Sequence, residues 1–207
     1  MKYTKEFYKT AAATVIKNLG KRNMEGYYCE SSREAVELIL SMIPEGSSIA
    51  NGGSMTIFEC GLMDAVKSGN YKYIDRSSGD IEETDAKIFS SDYFLMSTNA
   101  ITYDGQLVNI DGRANRVSFL CYGPKNVIIV AGMNKLSSDV ESALKRVRDV
   151  ASPKNTLRLG KKTPCSVTGK CGDCLSEDCI CCQTVITRMS RVKGRIKVIL
   201  VGEKLGY

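Results

Sequence analysis

Ser47-Ser48-Ile49-Ala50-Asn51-Gly52-Gly53-Ser54-Met55-Thr56 runs from a short apolar stretch through two glycines into a helical pattern. The spacing predicts a strand over 47–50, a tight turn at 51–54 and a helix over about 55–68 that closes at Gly69. On the N-terminal side, Phe7, Ala11, Val15 and Leu19 recur every four residues, which predicts a helix over 5–20. A second helix, about 33–43, starts from a Ser31 or Ser32 cap and ends at Pro44-Glu45-Gly46.

The alternation continues on the C-terminal side. Strands are expected at 71–74, 93–97 and 127–131, and a hairpin at 101–103 and 106–110 around Asp104-Gly105. Helices are expected at 84–91, 115–121 and 138–150. Residues 151–170 read as irregular, 180–191 as helical and 196–201 as a last strand. Val127–Ala131 is almost purely aliphatic, as a strand covered on both faces should be. The pattern predicts a single α/β domain over 1–207, with an open, mostly parallel sheet and one inserted hairpin.

The glycine turn carries the first chemical signal. Gly52 and Gly53 let the backbone approach a ligand, while Asn51, Ser54 and Thr56 add polar groups suited to an anion such as a phosphate, a carboxylate or a nucleotide pyrophosphate. Neither GxxxxGK[ST] nor GxGxxG is present. Glu59, one turn beyond Thr56, is a candidate base or nucleophile, or a residue placed there by the helix dipole. A second polar set follows: Asn99, Thr102, Asp111, Arg113, Asn115 and Arg116. Asp111 is a candidate acid or base, and Arg113 and Arg116 suit bidentate capture of a carboxylate or phosphate. Turn and cap chemistry accounts for the same residues without a ligand.

Composition narrows the chemistry. Histidine is absent, which removes Ser-His-Asp and Cys-His catalysis and all His-ligated metals. Of nine cysteines, six fall between Cys165 and Cys182. Cys29, Cys60 and Cys121 read as small core residues. Crowded thiolates repel unless a metal binds them, so 161–183 reads as a metal-binding loop with an iron–sulfur cluster slightly preferred over four-thiolate zinc; free or redox-active thiols are the third reading. No apolar run reaches membrane-span length and no secretory leader is visible, so the expected compartment is the cytoplasm. Residues 145–207 hold 14 basic and 5 acidic side chains, yet no aromatic residues interleave the basic ones, so nucleic acid is not expected as a partner.

The chain resembles the LUD (lactate-utilisation) domain family, formerly DUF162. The resemblance rests on Gly53–Leu62, Asn109–Val117, Tyr122–Val127, Ala131–Lys135 and Arg195–Tyr207. It implies a Rossmann-like sheet of the ribose-5-phosphate isomerase and CoA-transferase type. It places Gly52, Gly53, Ser54 and Thr56 at the ligand and makes Glu59 the acidic residue of the family motif. Stand-alone members carry a cysteine run, which Cys165, Cys171, Cys174 and Cys181 match best. Relatives act with iron–sulfur partner subunits in oxidising lactate to pyruvate.

Three functions follow as expectations. The first is an enzyme or accessory subunit in oxidation of a small 2-hydroxy acid, with an anionic metabolite or nucleotide at the glycine turn and an iron–sulfur or flavoprotein partner. The second is an isomerase or acyl/CoA-transfer enzyme using Glu59 and Asp111, with a structural metal. The third is a metal- or redox-sensing interaction module. A homo-oligomer is compatible with each.

Overall fold

The computed structural model describes residues 2–77 and 79–207. Its elements in order are α1 (Lys2–Lys21), β1 (Glu25–Cys29), α2 (Ser32–Met42), β2 (Ser48–Asn51), α3 (Met55–Glu59), α4 (Leu62–Ser68), β3 (Lys72–Ile74), α5 (Ile81–Phe89), β4 (Tyr93–Met96), β5 (Ala100–Thr102), β6 (Leu107–Asp111), α6 (Asn115–Cys121), β7 (Asn126–Gly132), β8 (Leu136–Ser137), α7 (Val140–Arg146), α8 (Ser152–Arg158), α9 (Pro164–Thr168), β9 (Gln183–Thr187) and β10 (Ile196–Val201).

Six strands form one sheet in the order β1-β10-β7-β4-β2-β3, and every pairing in it is parallel. The expected open α/β architecture is therefore present. The aliphatic run of β7 divides by alternation between two cores. Val127, Ile129 and Ala131 pack with Leu19 of α1, Ile88 of α5 and Phe119 of α6. Ile128 and Val130 pack with Ile39 of α2, Ile57 of α3 and Met63 of α4. Helices on both faces explain why the strand has no polar position to spare.

The hairpin is part of something larger than the sequence suggested. β5 and β6 belong to a second, four-stranded sheet in the order β8-β5-β6-β9. One face of this sheet packs Ala100, Val108 and Ile110 against Ala143, Val147 and Ala151.

Several local expectations need correction. Residues 180–191 are not a helix: Gln183–Thr187 is a strand antiparallel to β6, in the register Asp111↔Gln183 to Leu107↔Thr187. The β-branched run Thr184-Val185-Ile186-Thr187 favours extended backbone, and a strand edge was there to receive it. Residues 151–170 are not irregular. The helix begun at Val140 continues through a π-type turn, Val147–Ala151, into α8, with Pro153, which has no N–H to donate, just after that turn; α9 follows. The 55–68 helix is broken at Gly61, whose φ of +79° is a left-handed conformation, giving α3 and α4. β1 was not foreseen; its Gly26 lies so close to α1 that a Cβ would stand 2.9 Å from Leu19 Cδ1. Cys29 and Cys60 are buried as expected, whereas Cys121 is exposed.

Candidate functional site

Three neighbouring parallel strands, β2, β4 and β7, end on the same side of the sheet and release three polar segments there. The carboxyl edge of an open α/β sheet is where ligands bind. β2 releases the Asn51–Ser54 turn, β4 releases Ser97-Thr98-Asn99, and β7 releases Met133-Asn134-Lys135, a single 3-10 turn. They meet at Lys135. Its Nζ donates to Thr56 Oγ1 at 2.8 Å, to Ser97 Oγ at 2.9 Å and to the Thr98 carbonyl at 3.2 Å. Lys135, Thr56, Ser97 and Thr98 are all buried. Burial, with Arg146 and Arg116 nearby, lowers the Lys135 pKa from 10.5 to about 7, while Glu59 acts weakly in the other direction.

This lysine forms part of the lining of a cavity of about 620 Å³, together with Ser54, Arg113, Ser152, Arg158 and Cys179 among others. Of the residues expected at a ligand, Gly53, Ser54, Thr56, Asn99, Asp111, Asn115 and Arg116 line this cavity. Ser54 Oγ is buried and, among the described residues, has no hydrogen-bond partner. Such an orphan asks for a polar ligand or a water.

The Arg116 guanidinium is engaged by neighbouring side chains and carbonyls. Nε and Nη2 bond Asp111 Oδ1, Nη1 bonds the Ser97 carbonyl and Asn109 Oδ1, and Nη2 also reaches Asn99 Oδ1. Asp111 Oδ2 accepts from the Val117 N–H at 3.2 Å. The guanidinium is thus spent on tying β4, β6 and α6 together, and Asp111 holds it in place. Gly52 makes room for this hub: a Cβ there would stand 3.0 Å from Arg116 Cγ and 3.1 Å from Phe94 Cζ.

The remaining expected residues stand outside the cavity lining. Asn51 Oδ1 accepts from Tyr73 Oη at 2.6 Å. Thr102 bonds within the Asp104–Gln106 turn. Glu59 is exposed and its Oε2 accepts from the Gly206 N–H at 2.6 Å. Asn115, which does line the cavity, accepts from the Arg76 guanidinium when its amide is oriented to satisfy both ends.

Lys135 was quoted in a sequence motif but not singled out. The available signal was position: a lone cation just after the carboxyl end of the aliphatic strand β7.

The cysteine loop closes one side of the cavity. Cys179 and Cys182 line it. Behind them Cys165, Cys171, Cys174, Cys179 and Cys181 line a separate space of about 40 Å³, and Ile110, Ser152, Cys179 and Ile180 line both spaces. The loop is anchored to β6: the Cys182 N–H donates to the Asp111 carbonyl at 2.9 Å. Cys165 Sγ lies 3.2 Å from Thr163 Oγ1, and Cys181 Sγ donates to Ser152 Oγ at 3.1 Å. Burial pushes the Cys181 thiol up to about 11, whereas the Ser176 hydroxyl and N–H lower Cys174. Among the described residues no group of three or more Cys, Asp or Glu side chains is arranged to hold a metal ion. No helix among them is long and apolar enough to cross a membrane.

The chain is an α/β protein with a cavity, lined by six Lys and Arg side chains, at the carboxyl edge of a parallel sheet. The LUD domain family model matches residues 12–201, and the chain belongs to that family. The crystal structure of a DUF162 family protein from Deinococcus radiodurans is similar in fold, with a TM-score of 0.53 at 14% identity over 95% of this chain and 98% of that one. Ribose 5-phosphate isomerase A from Neisseria gonorrhoeae aligns over 85% of this chain and 95% of its own, with a TM-score of 0.42 at 14% identity. No curated protein matches the chain.

Proposed function

We propose that this LUD-domain chain binds a small anionic metabolite of the 2-hydroxy acid type in the cavity beside Lys135, as an enzyme or accessory subunit in its oxidation. The observation that carries this reading is the buried Lys135 ammonium held by Thr56 and Ser97, with the unpartnered Ser54 hydroxyl on the same cavity lining. A lysine with a pKa of about 7 is charged in half of the molecules at that pH, and an anion beside it favours the charged form. Oxidation of R–CH(OH)–COO⁻ to R–CO–COO⁻ releases two electrons and two protons. The ammonium form of Lys135 would hold the carboxylate, a flavin on a partner would supply the two-electron acceptor for the carbon-bound hydrogen, and the hydroxyl proton would pass to water; an iron–sulfur centre, which takes single electrons, would serve only beyond the flavin. Arg116 and Asp111 shape the cavity wall.

The thiols around the second cavity are soft donors of the type a thiophilic metal takes, and a metal would have to draw them together, since no three are so arranged among the described residues. Cys165, Cys171, Cys174 and Cys181 would hold an iron–sulfur cluster or zinc, with Cys179 as a fifth thiol on the same cavity. A cluster supplies one-electron transfer, whereas zinc braces the loop.

Saturation-transfer NMR with lactate and pyruvate tests the reading. Binding to the wild-type chain that disappears in Lys135→Met, with the fold intact by circular dichroism, is expected. Equal binding by both proteins defeats it. The isomerase or acyl-transfer reading requires Glu59 at the ligand, and no observation favours it: its carboxylate is engaged by Gly206.

A further inference from the structure

A bare three-carbon acid would leave most of the cavity empty. Its volume is about 620 Å³, whereas lactate, with six heavy atoms, occupies on the order of 150 Å³ when a water takes about 30 Å³. Pockets of roughly 300–1,000 Å³ enclose ligands of drug-like size.

The charges on the lining stand at two depths. Lys135 is buried. Arg113 and Arg158 are exposed, one between β6 and α6, the other in the last turn of α8. The other cations are engaged: Arg116 by Asp111, Lys161 by Asp178 at 3.1 Å and Arg76 by Asp85 at 3.1 Å. Arg113 has no hydrogen-bond or ion-pair partner among the described residues. Arg158 uses Nε and Nη2 on Asn155 Oδ1, at 3.0 and 2.8 Å, and keeps Nη1 free. Against these stands one carboxylate on the lining without a partner among the described residues, Glu177. Two guanidinium groups from separate parts of the chain, both on one cavity, suit the multidentate oxygens of a phosphate.

We infer that the ligand is a phosphorylated 2-hydroxy acid, its carboxylate end at Lys135 and Ser54 and its phosphate at Arg113 and Arg158. This rests on the 2-hydroxy acid reading above and adds the second anionic group and the greater length.

Calorimetric titration with lactate, glycerate, 3-phosphoglycerate, gluconate and 6-phosphogluconate tests it. At least one phosphorylated acid is expected to bind tenfold or more tightly than its unphosphorylated counterpart. That ratio is expected to fall to about one in the Arg113→Gln/Arg158→Gln double variant, in which both changed side chains are exposed. No gain from either phosphate, a gain that persists in the double variant, or inorganic phosphate binding as tightly as the phosphorylated acids overturns the inference. Lactate binding without a phosphate gain overturns the inference alone. No binding by any of the five acids removes the reading beneath it as well.

Discussion

Lys135 Nζ lies 2.8 Å from Thr56 Oγ1, so the turn after the strand Asn126–Gly132 is bonded to the helix that follows the glycine turn. The two residues are 79 positions apart in sequence, and the bond spans the carboxyl end of β4, which lies between β2 and β7 in the sheet. It brings a buried amine to a cavity that hydroxyls, amides, guanidinium groups, carboxylates and thiols also line.

The first prediction concerns pH and stability. The folded-state pKa of Lys135, about 7, lies below the ordinary 10.5. Below about pH 7 both folded and unfolded chains carry the charge, and the folded state bears the full cost of burying it. Between about 7 and 10.5 the unfolded chain binds the extra proton, so the penalty fades as pH rises. Lys135→Met should therefore be more stable than wild type at pH 6 by a few kcal/mol, at about 1.4 kcal/mol per pH unit. The difference should shrink by pH 10. Urea melts across this range test it; a pH-independent difference contradicts it.

Removing the Asp111 carboxylate should be costly. Arg116 and Asp111 are both largely buried, and Asp111→Ala leaves a guanidinium without its counter-charge. A loss of about 3 kcal/mol is expected, by analogy with other broken buried pairs. Chemical denaturation measures it, and a loss under about 1 kcal/mol would mean that Arg116 does not depend on Asp111.

Gly52→Ala should act through the same hub. Its Cβ would crowd both Arg116 and Phe94. Destabilisation of about 1–2 kcal/mol is expected from overpacking, together with weaker ligand binding as Arg116 shifts. An unchanged melting temperature and affinity would show that the turn has slack.

The cysteine loop makes a compositional prediction. Anaerobically purified protein should contain either iron with acid-labile sulfide or one zinc per chain. The Cys171→Ser/Cys174→Ser double variant should lose it. Metal-free protein whose loop thiols all react with a thiol reagent would defeat the metal reading.

How far the sequence spoke can be judged from particular residues. The aliphatic run Val127–Val130 and the Asn51–Ser54 turn were legible because strand burial and glycine conformation are local properties. Residues 183–187 were misread because their pairing with β6 is a long-range event that outweighs a weak local pattern. The polar residues at 97–116 announced a site, but not that Arg116 would spend its donors on Asp111, Asn99 and Asn109. Nor could spacing show that Cys179 and Ser54 line one cavity. Lys135 was the least legible of all, since a single lysine beside a strand is ordinary until its burial is seen.

The most direct test is calorimetry of lactate binding at pH 6 and pH 9. If the ligand anion meets Lys135, binding favours the ammonium form, so affinity should fall at least severalfold from pH 6 to pH 9. Protons should also be taken up on binding near pH 7, and Lys135→Met should give no binding heat at either pH. An affinity independent of pH, with no proton uptake in the wild-type chain, would place the ligand away from Lys135 and contradict the proposed site.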